Sequence, residues 1–152
     1  MNLNEVLDEA NILPALDVEN KDQALKEISR LLYQNEYIND VDQFLKDIYK
    51  REELGETGIG NYIAIPHGQS DSVLNTTISI AKLKNEIEWE TLDGKGVKVV
   101  ILFAVKNDTE HSKNHLKLLA EVAKRLAKDN VRESLLEATT EKEIIEAFNI
   151  EQ

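Results

Sequence analysis

The chain has no cysteine, which excludes a disulfide framework and a thiolate zinc site. It has no apolar run near the roughly 18–20 residues that a membrane-spanning helix needs. Its start, Met1-Asn2-Leu3-Asn4-Glu5, is acidic and lacks a basic segment, so no signal peptide is expected. Positive charge is scarce: 18 Lys and Arg stand against 29 Asp and Glu, a net charge of −11. Nucleic acids require a basic footprint and anionic membrane surfaces attract basic segments, so neither is an expected partner. There is no linker rich in Pro, Gly and Ser, no internal repeat and no low-complexity tract.

What is present suits a soluble domain. A length of 152 residues supports one domain with a proper core, and 41% hydrophobic and 31% charged residues are ordinary proportions. One domain over residues 1–152 is expected. Ile12–Val18 reads as a first strand. Asn20, with Gln23 three positions on, marks the start of a helix over Lys21–Gln34, whose apolar spacing is Ala24, Leu25, Ile28, Leu31 and Leu32. Asn39-Asp40 start a second helix with the stripe Val41, Phe44, Leu45, Ile48 and Tyr49, and Arg51 lies near its end.

Gly55, Gly58 and Gly60 punctuate a loop before a Tyr62–Ile65 strand. They form no nucleotide loop, because no Gly-Lys-Ser/Thr follows. Thr77–Leu83 alternates as a strand does, Ile87–Trp89 reads as a short strand, and Leu92-Asp93-Gly94 as a turn. Val97–Val105 is the most β-branched apolar run and reads as a central strand buried on both faces. A polar loop over Lys106–Ser112 then leads to a helix over Asn114–Lys128. Asn130 is expected to cap a short helix, and Thr140 with Glu143 to open a last one. Interspersed strands and helices point to an α/β domain with a mixed sheet.

Three histidines are available: His67, His111 and His115. His67 follows Ile63-Ala64-Ile65-Pro66 and precedes Gly68. Pro66 has no N–H for a ladder, and Gly68 admits a close backbone neighbour. That context places an imidazole at a strand terminus. Imidazole is available in its neutral, nucleophilic form near pH 7. Sixteen residues upstream lies Arg51, whose planar fork of donors suits phosphate. A nucleophilic nitrogen and a phosphate clamp together suggest phosphoryl transfer through a phosphohistidine, a reaction governed by positioning and charge stabilisation.

The alternatives are ordinary: a hydrogen-bonded buried histidine at a strand end, and an arginine that complements a helix dipole. His115 is placed at a helix start, where unpaired N–H groups and the dipole favour an anion and depress its pKa. Lys50, Lys113 and Lys117 add local positive charge but read singly as solvated helix faces. Asn61 and Gln69 could orient an imidazole or bind an oxygen, and read more simply as loop residues. His111 reads as loop. His111 and His115 are spaced as zinc ligands can be, but the chain lacks cysteine and the glutamate of a zinc protease motif.

Arg51, Leu54-Gly55, Ile63-Ala64-Ile65-Pro66-His67-Gly68 and His115-Leu116-Lys117-Leu118-Leu119-Ala120 resemble the motifs of a known family. It is the fructose/mannitol-type (type 2) enzyme IIA domain of the bacterial phosphoenolpyruvate-dependent sugar phosphotransferase system. The resemblance implies a three-layer α/β/α sandwich with a mixed sheet between helices, and a cytoplasmic protein without a cofactor or metal. It implies that His67 carries the phosphoryl group on Nε2, with Arg51 and His115 as its partners. It also implies phosphorylated HPr as donor and a IIB component, linked to a membrane IIC, as acceptor. Many IIB domains use a cysteine, so the IIB acceptor is expected on a separate polypeptide. Some relatives use the same histidine for regulation, signalling by protein binding instead of feeding a transporter.

Overall fold

The computed structural model describes residues 3–149. Part of the expectation about the N-terminal segment falls on Met1 and Asn2, outside the described residues. A short helix α1 (Leu3–Val6) leads into strand β1 (Leu7–Leu16), and helices α2 (Lys21–Gln34) and α3 (Val41–Glu52) follow. Strands β2 (Gly58–Gly60), β3 (Ile63–Ala64), β4 (His67–Ser70), β5 (Thr77–Ile87) and β6 (Val97–Lys106) come next. The helices α4 (Thr109–Leu126), α5 (Asp129–Glu137) and α6 (Glu141–Ala147) close the chain.

The strands form one mixed sheet in the order β1-β5-β6-β3-β2, with β4 also paired to β6. β1 is parallel to β5, β5 antiparallel to β6, and β3 and β4 are both parallel to β6. β6 is buried on both faces, as its β-branched run predicts. Val99, Ile101, Phe103 and Val105 pack with α4, α5 and α6, and Val100, Leu102 and Ala104 pack with α2 and α3. Helices thus cover both faces, giving the expected three layers.

Caps fix several helix starts. Asn20 and Asp40 accept from the backbone N–H groups of Gln23 and Gln43, and Thr140 accepts from that of Glu143. Several sequence expectations need correction. The first strand ends at Leu16 and starts earlier, at Leu7. The glycine loop contains β2, where Gly58 lies so close to Thr91 that a Cβ would come within 2.3 Å of its side chain. Ile87 ends the long β5, and Glu88 and Trp89 lie outside any strand. Asn130 does not cap α5: the N-cap is Lys128, without a side-chain bond, and Asn130 Oδ1 instead accepts from Val131 N–H.

Candidate functional site

Pro66 interrupts the sheet without ending it. It has no N–H, but its carbonyl still accepts from Phe103 N–H at 2.9 Å, so the chain stays beside β6. β3 stops before Pro66 and β4 begins after it, with His67 opposite Phe103 and Gly68 opposite Ala104. His67 therefore opens a strand instead of terminating one. Gly68 faces α3, where an added Cβ would lie 2.4 Å from the Phe44 ring and 3.1 Å from Ile48. That close packing brings α3, and Arg51 in its last turn, beside the histidine.

His67 stacks on Phe103, with ring centres 5.2 Å apart and planes 13° apart. His115 meets His67 edge-on at 5.1 Å and Phe103 at 5.4 Å. Both histidines bury Nδ1 without a hydrogen-bond partner among the described residues, which leaves Nε2 as the nitrogen with access to solvent. The two rings and Arg51 share a cleft of about 310 Å³ with Asp47, Lys50, Leu54 and Gln69. A larger cavity, about 740 Å³, lies by Lys21, Trp89 and Glu90 and is lined by no histidine.

Burial is the largest influence on His67 and disfavours its charged form; the positive influences of His115 and Arg51 act the same way. Its pKa falls to about 4, although the Ile65 backbone partly favours protonation. That backbone influence falls short of a formed bond at Nδ1 among the described residues. Burial also lowers the pKa of His115. Both imidazoles are thus neutral near pH 7, one a free nucleophile and the other able to donate a neutral hydrogen bond.

The reason for His115's neutrality differs from the sequence expectation. α4 starts at Thr109, so His115 is in its second turn, past the unbonded N–H groups. The helix start is masked in the sequence by polar residues: Ser112 bonds back to the Asp108 carbonyl at 2.8 Å, and the first turn carries Glu110 instead of an apolar stripe. His111 consequently belongs to α4 and not to a loop. Its side chain lies outside the described residues, so the His111–His115 pair is not described. Among the described residues no group of three or more His, Cys, Asp or Glu is placed to hold a metal.

The other candidates separate. Arg51 Nη1 donates to the Gly55 carbonyl at 3.2 Å. Gln69 reaches across to α4, its Nε2 donating to Ser112 Oγ at 2.6 Å. Lys50 lines the cleft, whereas Lys113 and Lys117 do not. Asn61 is away from it, in the tight turn between β2 and β3, with φ of 56° and its N–H on Asp93. Sequence reasoning missed Asp47 as part of the cleft wall, and singled out Leu54 only within a motif, without a place in the cleft. Asp47 precedes Arg51 by one helical turn, and that spacing was the available signal.

A family model described as phosphoenolpyruvate-dependent sugar phosphotransferase system, EIIA 2, matches residues 5–150. The mannitol-specific phosphotransferase enzyme IIA component of Geobacillus stearothermophilus is 33% identical over 147 residues, 95% of each chain. The PTS system 2-O-alpha-mannosyl-D-glycerate-specific EIIABC component of Escherichia coli K12 is 32% identical over 130 residues, 85% of this chain. This chain spans only 20% of that longer relative. Among solved structures, the nitrogen regulatory protein IIA-Ntr of Neisseria meningitidis superposes with a TM-score of 0.86 at 26% identity, over 95% of this chain and 97% of that one. The match across nearly the whole chain, on the fold described above, establishes that this protein belongs to the type 2 enzyme IIA family of the phosphoenolpyruvate-dependent sugar phosphotransferase system.

Proposed function

We propose that the chain is a cytoplasmic phosphoryl carrier, which takes a phosphoryl group from phosphorylated HPr onto His67 and passes it to a separate IIB component linked to a membrane IIC. The observation that carries this reading is one cleft holding a neutral, buried imidazole with Nε2 accessible, a second neutral imidazole against it, and an arginine fork. Family membership supports the phosphotransferase role.

In the transfer, the Nε2 lone pair forms the new N–P bond as the donor's N–P bond breaks. The electron pair of the broken bond returns to the donor's ring nitrogen, and the His67 proton stays on Nδ1. Arg51 leaves Gly55 to bind two equatorial oxygens, and His115 donates to a third through Nε2. Little covalent machinery is needed, because the transition state calls for alignment and charge neutralisation.

The test is incubation with phosphoenolpyruvate, enzyme I and HPr, followed by mass spectrometry. The wild type gains one acid-labile phosphoryl group, and His67→Ala gains none. Full labelling of His67→Ala overturns the assignment.

A second reading is regulatory, and the similarity to IIA-Ntr favours it. A IIB protein encoded beside this chain accepts the label in the transport reading. In the regulatory reading no IIB accepts it, and the state of His67 instead controls binding to another protein.

A further inference from the structure

At the end of α3 lies a buried carboxylate that the transfer chemistry does not use. Glu52 follows Arg51 and is the last residue of α3; its side chain is 7% exposed. Lys21 Nζ, at the start of α2, lies 2.7 Å from Glu52 Oε1 and 2.6 Å from Glu90 Oε2. The same ammonium sits 5.0 Å from the centre of the Trp89 ring. Thr57, itself buried, donates its hydroxyl to Glu52 Oε1 at 2.9 Å and accepts from Trp89 Nε1 at 3.3 Å. Glu52 Oε2 is buried without a partner among the described residues.

Burial lowers the pKa of Lys21, yet the bonds to Glu52 and Glu90 raise it overall, so the pairing itself is favourable; the buried carboxylate is not explained by that gain alone. Taking a carboxylate out of water is costly, and a buried ion pair often does no better than apolar packing. An oxygen left unpaired adds to the cost. Geometry does account for it. The Thr57 carbonyl accepts from Ile65 N–H at 2.9 Å, two residues before His67. Thr57 is therefore bonded both to the helix end that carries Arg51 and to the segment that leads into His67. The intervening loop bonds back to the helix end, Leu54 N–H on the Arg51 carbonyl and Arg51 Nη1 on the Gly55 carbonyl, but Leu54 itself is 82% exposed.

We propose that Glu52 and Thr57, with Lys21 Nζ paired to the Glu52 carboxylate at 2.7 Å, are positioning residues that set Arg51 against His67. They touch no phosphoryl oxygen and act through Arg51. The inference rests on the carrier reading above.

The test is single-turnover transfer from phosphorylated HPr to His67 at a series of HPr concentrations, with Glu52→Gln, Thr57→Val and Thr57→Ser. Misplacement by 1 Å can cost on the order of 10²-fold, and a fall of about 10-fold in the saturating rate is expected for Glu52→Gln and Thr57→Val. The half-saturating HPr concentration should not move, and Thr57→Ser should restore the rate. Glu52→Gln combined with Arg51→Lys should be no slower than Arg51→Lys alone, because the network works through the fork. Wild-type rates in folded Glu52→Gln and Thr57→Val, or a double variant slowed by the product of the single effects, overturn the proposal. So does failure of Glu52→Gln to fold while Arg51→Lys folds, which makes Glu52 a stability residue. Absence of label on wild-type His67 overturns the carrier reading, and this inference with it; label with unaltered rates overturns this inference alone.

Discussion

At the residue scale, His67 in its proposed role as phosphoryl acceptor combines two demands that oppose each other. It must be buried enough to stay neutral, yet keep one nitrogen open. A pKa of about 4 meets the first demand. The unfolded chain binds the proton near the ordinary value of about 6.5, so on acidification it takes up a proton before the folded protein does. Stability is therefore unaffected above about pH 6.5 and lost as pH falls from there toward about 4, by on the order of 3 kcal/mol from this group. Denaturant melts of the wild type and His67→Gln across that range should diverge accordingly, and the His67 ring should titrate near its depressed value by NMR. A midpoint at the ordinary value would remove the neutral-nucleophile argument.

Arg51 and His115 are tested by rate. Arg51→Lys keeps charge but loses the fork, and transfer should fall by about 10²-fold with folding unchanged. His115→Ala should still label but exchange phosphoryl groups more slowly in both directions in rapid-quench measurements. An unaltered rate in either folded variant would return that residue to a surface role. The Pro-His-Gly context singled out His67 in the sequence and the fork chemistry singled out Arg51, and the structure places both in one cleft; their roles are the proposal's. Glu52 was not legible: beside Glu53 at a helix end it reads as solvated, and its partners are Lys21, remote in sequence, and Thr57, five residues on and itself bonded to the distant Trp89.

At the scale of elements, the contact between β4 and α3 decides how closely Arg51 approaches His67. Gly68 is what permits it. Gly68→Ala drives a methyl to 2.4 Å from a fully buried Phe44 ring, so either the ring or the helix moves. Overpacking of this kind costs about 1–3 kcal/mol. The variant should melt earlier and transfer more slowly. A second substitution, Phe44→Leu, should recover part of the stability by freeing space. No recovery would show that the strain lies elsewhere in the β4 backbone.

Element boundaries were less legible than the elements themselves. α2, α3, β6 and α6 follow their apolar spacing and caps closely. The start of α4 does not, because its first turns lack an apolar stripe. β4 is hidden because a strand resuming after a proline, through His-Gly-Gln-Ser, has no strand-like composition. Its pairing is supplied by β6.

At the scale of the molecule, the sheet order was not legible, since pairing between remote segments leaves no local trace in one sequence. It nevertheless sets the mechanics. β6 gives alternate side chains to two cores, one under α4, α5 and α6 and one under α2 and α3. The cleft draws on both sides, His115 from α4 and Arg51 from α3. If the two layers loosened independently, the site would lose its geometry before the fold was lost. Shared strands argue that they unfold together, as one domain. Leu135, fully buried in α5, belongs to the first core, and Trp89, the sole tryptophan, to the second. Leu135→Ala should destabilise by about 2–5 kcal/mol. In urea, Trp89 fluorescence and far-UV circular dichroism should then shift to the same lower midpoint, although the substitution lies across the sheet from the tryptophan. A Trp89 midpoint left at the wild-type value while the helical signal moved would mean that the layers are separately stable, and that Arg51 and His115 are held together by the cleft's occupant instead of by the sheet.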